Sequence, residues 1–349
     1  MVTPSAESTS LPPGLGEGTL TKSRRPLKAG LILTTVEDRD GGNTPRWTDL
    51  AAMARRAEEV GFDSIWIPDH LTHKFDGIPE YGIWECWSLM CGLAAVTSRV
   101  EIGSWVLCAS FRNPALLAKM ADTLDEISNG RLLLALGAGW HEPEYRAFGF
   151  PFDHRIGRFE ESLTIIHSLL REGRVDFHGR VVEARDCELR PRGPRPEGPP
   201  IVIGTIAGSP LGRLLGLPEP APGESRMLRL VARFADEWNV PWINDPADLA
   251  PLQRAIEAAC AAENRDPSTL LRSHGVAVNL PFWRDRPGAD RVRATRANLN
   301  PIEGSPDALA DSLRRFAAAG TDHVHVQLDP ETIEGIDAFA DVLAILDQG

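Results

Sequence analysis

About eight times along its 349 residues this chain repeats one alternation: a short apolar run, then a longer stretch with apolar residues at helical spacing. No other feature constrains the fold as tightly. Strands joined by crossover helices pair in parallel, and eight such units close a (β/α)8 barrel. In the first unit "LKAGLILTT" (27–35) reads as a strand. In "RWTDLAAMARRAEEVG" (46–61), Trp47, Leu50, Ala54, Ala57 and Val60 share one face and Gly61 supplies the stop. The next strands are "DSIWIPDH" (63–70) and "VEIGSWVLCAS" (100–110). A helix capped by Asn113-Pro114 follows, with Leu117, Met120, Leu124 and Ile127 as its stripe. The pattern continues through "RLLLALG", "PPIVIGT", "EWNVPWI", "RSHGVAVNLP" and "DHVHVQL". A doubly wound sheet needs fewer units and usually a second domain, so the α/β class is assigned as a TIM barrel.

The expected organisation is a flexible tail over 1–26, rich in Ser, Thr, Pro and Gly, and one barrel over 27–349. Its longest interruptions are 139–155, 173–200 and about 206–222. The first and third follow strands, so they fall on the C-terminal face, where barrel loops build active sites. The second follows a helix and is expected at the opposite face or along the side.

A formal charge of −12, with arginines spread through helices, excludes a nucleic-acid footprint and favours a small-molecule partner. Five cysteines without a C-x-x-C pair suggest a reducing cytoplasm. No apolar run reaches membrane-spanning length, and none of signal-peptide type opens the chain.

The segment "RLLLALGAGWHEPEYRAFGFPFDHR" (131–155) passes from a strand buried on both faces directly into chemistry. Gly137 and Gly139 let backbone approach a flat or anionic ligand, while Trp140, His141, Glu142 and Tyr145 offer a stacking face, a base, a carboxylate and a phenol. Taken alone, G-x-G is more simply a helix start, and a dinucleotide fingerprint would need a third glycine. Asp69-His70 ends a strand, which in a barrel directs His70 to the mouth with Asp69 able to orient it or hold a ligand hydroxyl. Gly204 and Thr205 end another strand; with Ser225 and Arg226 at a helix start they form either a phosphate cradle or a plain capped connection. His323 and His325 share one side of their strand, but no third ligand is evident, so packing is the expected role and no metal is assigned.

Taken together, "GFDSIWIPDHL", "FRNPALLAKMADTLDEISNGRLLLALGAGWHEPEYRAFGFPFDHRIGRFEE" and "GSPDALADSLRRFAAAGTDHVHVQL" resemble the luciferase-like monooxygenase family of flavin- and deazaflavin-dependent barrels, especially its coenzyme F420-dependent branch. The resemblance runs from about Leu27 to the C-terminus. It implies Asp69 and His70 beside the cofactor ring, with His70 as general acid or base. It also implies a non-prolyl cis peptide at Trp105–Val106 behind the ring, and Cys108 where relatives often carry a hydroxyl. Gly137 to Tyr145 then flank ring and ribityl chain. Gly204, Thr205, Ser225 and Arg226 hold the phosphate, with Gly208-Ser209 as an alternative because of the insertion. The implied activity is hydride transfer between F420 and a small organic substrate in a homodimeric enzyme. An FMN-dependent monooxygenase and an inactive flavin-binding barrel are the alternatives.

Overall fold

The computed structural model describes residues 25–37, 44–74, 80–206, 208–209, 212–213, 225–281 and 300–348. The expected tail, apart from its last residues, and most of the expected insertion lie outside them. The strands are β1 (Lys28–Ile32), β2 (Ser64–Ile67), β3 (Glu101–Ser104), β4 (Leu107–Cys108), β5 (Leu132–Gly137), β6 (Arg174–His178), β7 (Glu183–Glu188), β8 (Ile201–Gly204), β9 (Glu237–Val240), β10 (Leu271–Asn279), β11 (Ile302–Glu303) and β12 (His323–Asp329). Eight of them close a parallel barrel in the order β1, β2, β3, β5, β8, β9, β10, β12, and β12 pairs back onto β1.

The helices are α1 (Trp47–Val60), α2 (Cys86–Val96), α3 (Pro114–Ser128), α4 (Glu142–Phe148), α5 (Arg155–Glu172), α6 (Arg226–Phe234), α7 (Leu249–Ala262), α8 (Pro306–Ala318) and α9 (Ile333–Asp347). Their apolar faces pack on the outside of the strands in one large cluster. Two stripe assignments need correction. In α1 the buried face is Leu50, Ala51, Met53, Ala54 and Ala57, while Trp47 stays 42% exposed; in α3, Ile127 is 49% exposed. Both residues sit near a helix end, where the stripe runs past the edge of the sheet it covers.

A second, smaller cluster fills the barrel itself: Ile32, Trp66, Leu133, Ala135 and Val202, with Trp105 and Val106 against it. Trp66 fits because Gly30 and Gly103 flank it; a Cβ at either would come within 2.4 Å of the indole. The interruption over 173–200 carries an antiparallel hairpin, β6–β7, that periodicity did not reveal. The chain after it is tied down on α3, where Arg195 Nε donates to buried Asp125 at 2.9 Å and Arg192 Nε to Asp122 at 3.2 Å. All five cysteines are free, and among the described residues no helix is long and apolar enough to cross a membrane.

Candidate active site at the barrel mouth

Asp69 and His70 leave β2 side by side but do different work. Both Asp69 oxygens are occupied: Arg112 Nη1 donates to Oδ2 at 2.8 Å, Arg112 Nη2 to Oδ1 at 3.0 Å, and the Cys108 backbone N–H to Oδ2 at 2.8 Å. The Asp69 side chain is fully buried. Burial opposes the Arg112 charge, but pairing with Asp69 outweighs it and raises the guanidinium pKa. Arg112 also donates to Glu85 at 2.8 Å, so Asp69 ties β2 to the segment after β4. It does not orient His70, contrary to the sequence expectation.

That role falls to Glu144 on α4. His70 Nδ1 sits 3.1 Å from each Glu144 oxygen, and Glu144 Oε1 also accepts the backbone N–H groups of Leu71 (2.6 Å) and Thr72 (3.1 Å). Glu144 is 2% exposed. Burial pushes its carboxyl up, but the His70 hydrogen bond, the His70 charge and the two amides more than offset this and leave its pKa below the usual value. An ionised Glu144 accepts only, so His70 Nδ1 carries the proton and Nε2 is left for proton exchange. The His70 side chain is 24% exposed, with the Trp140 ring edge-on at 6.0 Å and His141 at 6.3 Å. His141 is buried and its pKa is lowered, by burial first, against the pull of Glu144.

Other members of the loop turn away from the mouth. Glu142 pairs with Arg146 at 2.9 Å on the exposed face of α4. Tyr145 is 1% exposed; its hydroxyl donates to Ala138 O at 2.9 Å and meets the Cys108 thiol at 3.0 Å. Burial raises both, the thiol to about 12. Gly139 lies over this pair at φ +69°, where a Cβ would fall 2.0 Å from the Tyr145 hydroxyl and 2.5 Å from the thiol. Tyr145 and Cys108 therefore support the loop from beneath, because their polar atoms are spent on protein partners. Arg155 adds a clamp, donating to Gly139 O and lying over Phe152 at 4.7 Å.

The Trp105–Val106 peptide bond is cis, as the resemblance implied. Val106 nests between two glycines: a Cβ at Gly137 would meet it at 2.9 Å and one at Gly204 at 2.8 Å. These glycines thus admit the β3–β4 bulge to the barrel interior. Trp105 crosses to Trp242, ring centroids 4.7 Å apart, and its Nε1 is buried with no partner among the described residues. A buried donor left this way requires a ligand atom or water.

Three of the expected phosphate residues have protein partners. Thr205 Oγ1 accepts Trp238 Nε1 at 2.9 Å, facing inward; Ser225 caps α6; and Arg226, half exposed, runs outward to Glu160 at 2.8 Å. The alternative pair follows β8 directly: Gly208 has φ +80°, and Ser209 Oγ accepts the Gly212 N–H at 3.0 Å. The segment 214–224 between them lies outside the described residues.

Sequence reasoning missed Glu144, Arg112 and Glu85. A signal for Glu144 existed: the i,i+4 spacing of Glu142 and Arg146 marks the solvent face of a helix opening at Glu142, which leaves Glu144 facing inward beside Tyr145.

The profile of the luciferase-like monooxygenase family matches residues 27–213. The chain belongs to this family. It is 35% identical over 315 residues to pyrimidine monooxygenase RutA of Methylorubrum extorquens strain PA1, covering 84% of this chain and 76% of that protein. It is 38% identical over 170 residues to the F420-dependent glucose-6-phosphate dehydrogenase of Amycolatopsis mediterranei strain U-32, covering 47% and 48%. Among solved structures, an F420-dependent secondary alcohol dehydrogenase holding an F420-acetone adduct superposes with TM-score 0.72 at 19% identity, over 92% of this chain and 99% of that one. A riboflavin lyase superposes with TM-score 0.73 at 14% identity, over 92% and 91%. These likenesses establish the barrel fold of a flavin- or F420-dependent enzyme family.

Proposed function

We propose that this oxidoreductase transfers hydride between coenzyme F420 and a small organic alcohol or carbonyl compound, with His70 as the proton-transfer residue. The observation that carries the reading is the His70–Glu144 pair. An ionised, buried carboxylate fixes one ring nitrogen, and a quarter-exposed ring presents the other at the mouth of the barrel. The mouth also fits a flat cofactor. The Gly137 and Gly204 flanks admit the Trp105–Val106 bulge as a floor, and the Trp105 indole N–H awaits an acceptor. A bound deazaflavin supplies two-electron hydride chemistry and reacts poorly with oxygen.

His70 Nε2 takes the proton of a substrate hydroxyl as the substrate is oxidised, and returns it to the carbonyl oxygen in the reverse direction. Glu144 stabilises the imidazolium formed in between. Trp140 walls the same space and limits access of water. The homodimer and cytoplasmic setting suggested by the family belong to the same proposal.

A second reading, an FMN-dependent monooxygenase, is favoured by the longer match to the pyrimidine monooxygenases, which extends over 315 residues against 170 for the F420 enzyme. Turnover separates the two. Anaerobic loss of F420 absorbance with short secondary alcohols, abolished in His70→Ala, is the outcome expected here. Oxygen consumption with reduced FMN and a pyrimidine, without F420 turnover, would establish the second.

A further inference from the structure

At the opposite end of the barrel, the first residues of β9 and β12 bring together Glu237, His323 and His325. His323 and His325 alternate on β12 and so face the same way; β9, separated from β12 by β10, supplies the carboxylate that the sequence pattern could not pair with them. Their inner atoms converge. Glu237 Oε1 lies 3.7 Å from His323 Nδ1 and 3.8 Å from His325 Nε2, and all three donors fall within 4.8 Å of one another. These separations exceed a hydrogen bond. Accordingly Glu237 Oε1 and His325 Nε2 are buried without a partner among the described residues, on side chains 8% and 0% exposed.

The outer nitrogens, by contrast, are held. His323 Nε2 meets Ser64 Oγ at 2.8 Å, and that oxygen already accepts Trp66 Nε1 at 2.7 Å. Ser64 Oγ keeps a second lone pair, which would accept the His323 Nε2–H once an ion occupies Nδ1. His325 Nδ1 meets the Asn239 carboxamide at 3.2 Å. The contacting atom is the carboxamide nitrogen, which also donates to Ser273 Oγ at 3.0 Å; an ion on Nε2 would place the ring proton on Nδ1, with the carboxamide turned to accept it. Two imidazoles held at their outer nitrogens, with the inner nitrogens converging on a carboxylate, have the outer-shell arrangement of histidine metal ligands.

We infer that Glu237, His323 and His325 form a structural binding site for one divalent transition-metal ion, zinc by donor type, at the base of the barrel. Two imidazoles and one carboxylate suit Zn2+, which binds such ligands at about 2.0–2.2 Å, so that tetrahedral donors lie about 3.3 Å apart. Closing the two carboxylate–histidine separations from 3.7 and 3.8 Å asks for about half an ångström each, and the two histidine nitrogens, within 4.8 Å of each other, draw together around the ion. The fourth position is left to water. Such an ion links two strands that are not neighbours in the sheet, closing the base across β10, and it is independent of the mouth and its cofactor.

The test uses the full chain purified without an affinity tag, stripped with a chelator, and dialysed with Zn2+ or Co2+ before metal analysis and melting. The expected result is one metal ion per chain, visible bands of nitrogen-ligated four-coordinate cobalt, and a melting temperature raised by several degrees. His70→Ala should retain the ion and Glu237→Gln should lose it. If Glu237→Gln fails to fold, His325→Gln carries the comparison, and if neither folds the wild-type stoichiometry and cobalt spectrum decide. Absence of retained metal and of any thermal shift, or equal retention in the Glu237→Gln variant, would overturn the assignment.

Discussion

The two ends of this barrel hold the same residue types and use them in opposite ways. At the mouth, His70 is paired through Nδ1 with Glu144, Asp69 with Arg112, and the His70 ring stays a quarter exposed. At the base, His274, His323 and His325 are 0–2% exposed, and Glu237 and His325 keep atoms with no protein partner among the described residues. At the mouth, pairing outweighs burial for Glu144 and Arg112; at the base, burial holds His274 and His325 neutral, while the Glu237 pKa is lowered by His323 against its burial. The lesson is that a histidine in a barrel is read by its position along the strand. After the last residue of a strand it meets substrate and cofactor; at the first residues it enters a closed layer, where it serves packing and structural ties. The comparison therefore predicts that mouth variants lose turnover and keep stability, while base variants do the reverse.

The largest expected effect is on turnover. His70→Ala should lower kcat by about 10²- to 10⁴-fold, the usual worth of a positioned acid or base, with the melting temperature within a few degrees of wild type. A stable but fully active variant would remove His70 from the chemistry.

Next comes the exception that sharpens the contrast. Asp69→Asn leaves the largely buried Arg112 guanidinium with only the half-exposed Glu85 carboxylate and should cost up to about 3 kcal/mol of stability in denaturant unfolding. If that variant instead melts normally and loses only turnover, Asp69 belongs with His70 as a reacting group.

Glu144→Gln keeps shape but frees the His70 tautomer, and kcat should fall about ten- to a hundredfold. The pH profile should change with it. A purely structural role would alter stability and leave the profile in place.

The smallest effect concerns the base. Burial pulls the His274 pKa down to about 3, with Glu237 acting weakly in the other direction. A group depressed from about 6.5 in the unfolded chain costs nothing above pH 6.5 and destabilises the fold increasingly as pH falls toward 3, by a few kcal/mol at most. Unfolding free energies at pH 7.5 and 5 should differ in that sense, and His274→Gln should flatten the difference.

Much of this was legible in the sequence. The strand and helix alternation yields all eight barrel strands, and Asp69-His70 and the 137–145 loop lie at the mouth. The legible part follows from local pattern: unbroken apolar runs, caps and strand ends. What was not legible depends on partners far apart in the chain. Glu144 reaches His70 across 74 residues and Arg112 reaches Asp69 across 43. Arg226 pairs with Glu160 across 66, a partner that its place at a helix start did not suggest. Glu237 joins His323 and His325 only because a closed sheet brings β9 opposite β12. The β6–β7 hairpin was overlooked because it is short and mostly polar, although Val175 and Phe177 alternate with polar residues along β6 and pack half-buried on the core, and Ala184 of β7 is buried.

The central claim is that the mouth is built for F420. Its most direct test is an equilibrium titration of the purified chain with F420 and, separately, with FMN, followed by the fluorescence of its nine tryptophans. Trp105 and Trp140 line the mouth and report on its occupancy. Saturable quenching at one F420 per chain, with FMN about tenfold or more weaker (1.4 kcal/mol), is the predicted result. Tighter binding of FMN, or saturation by neither, would contradict it.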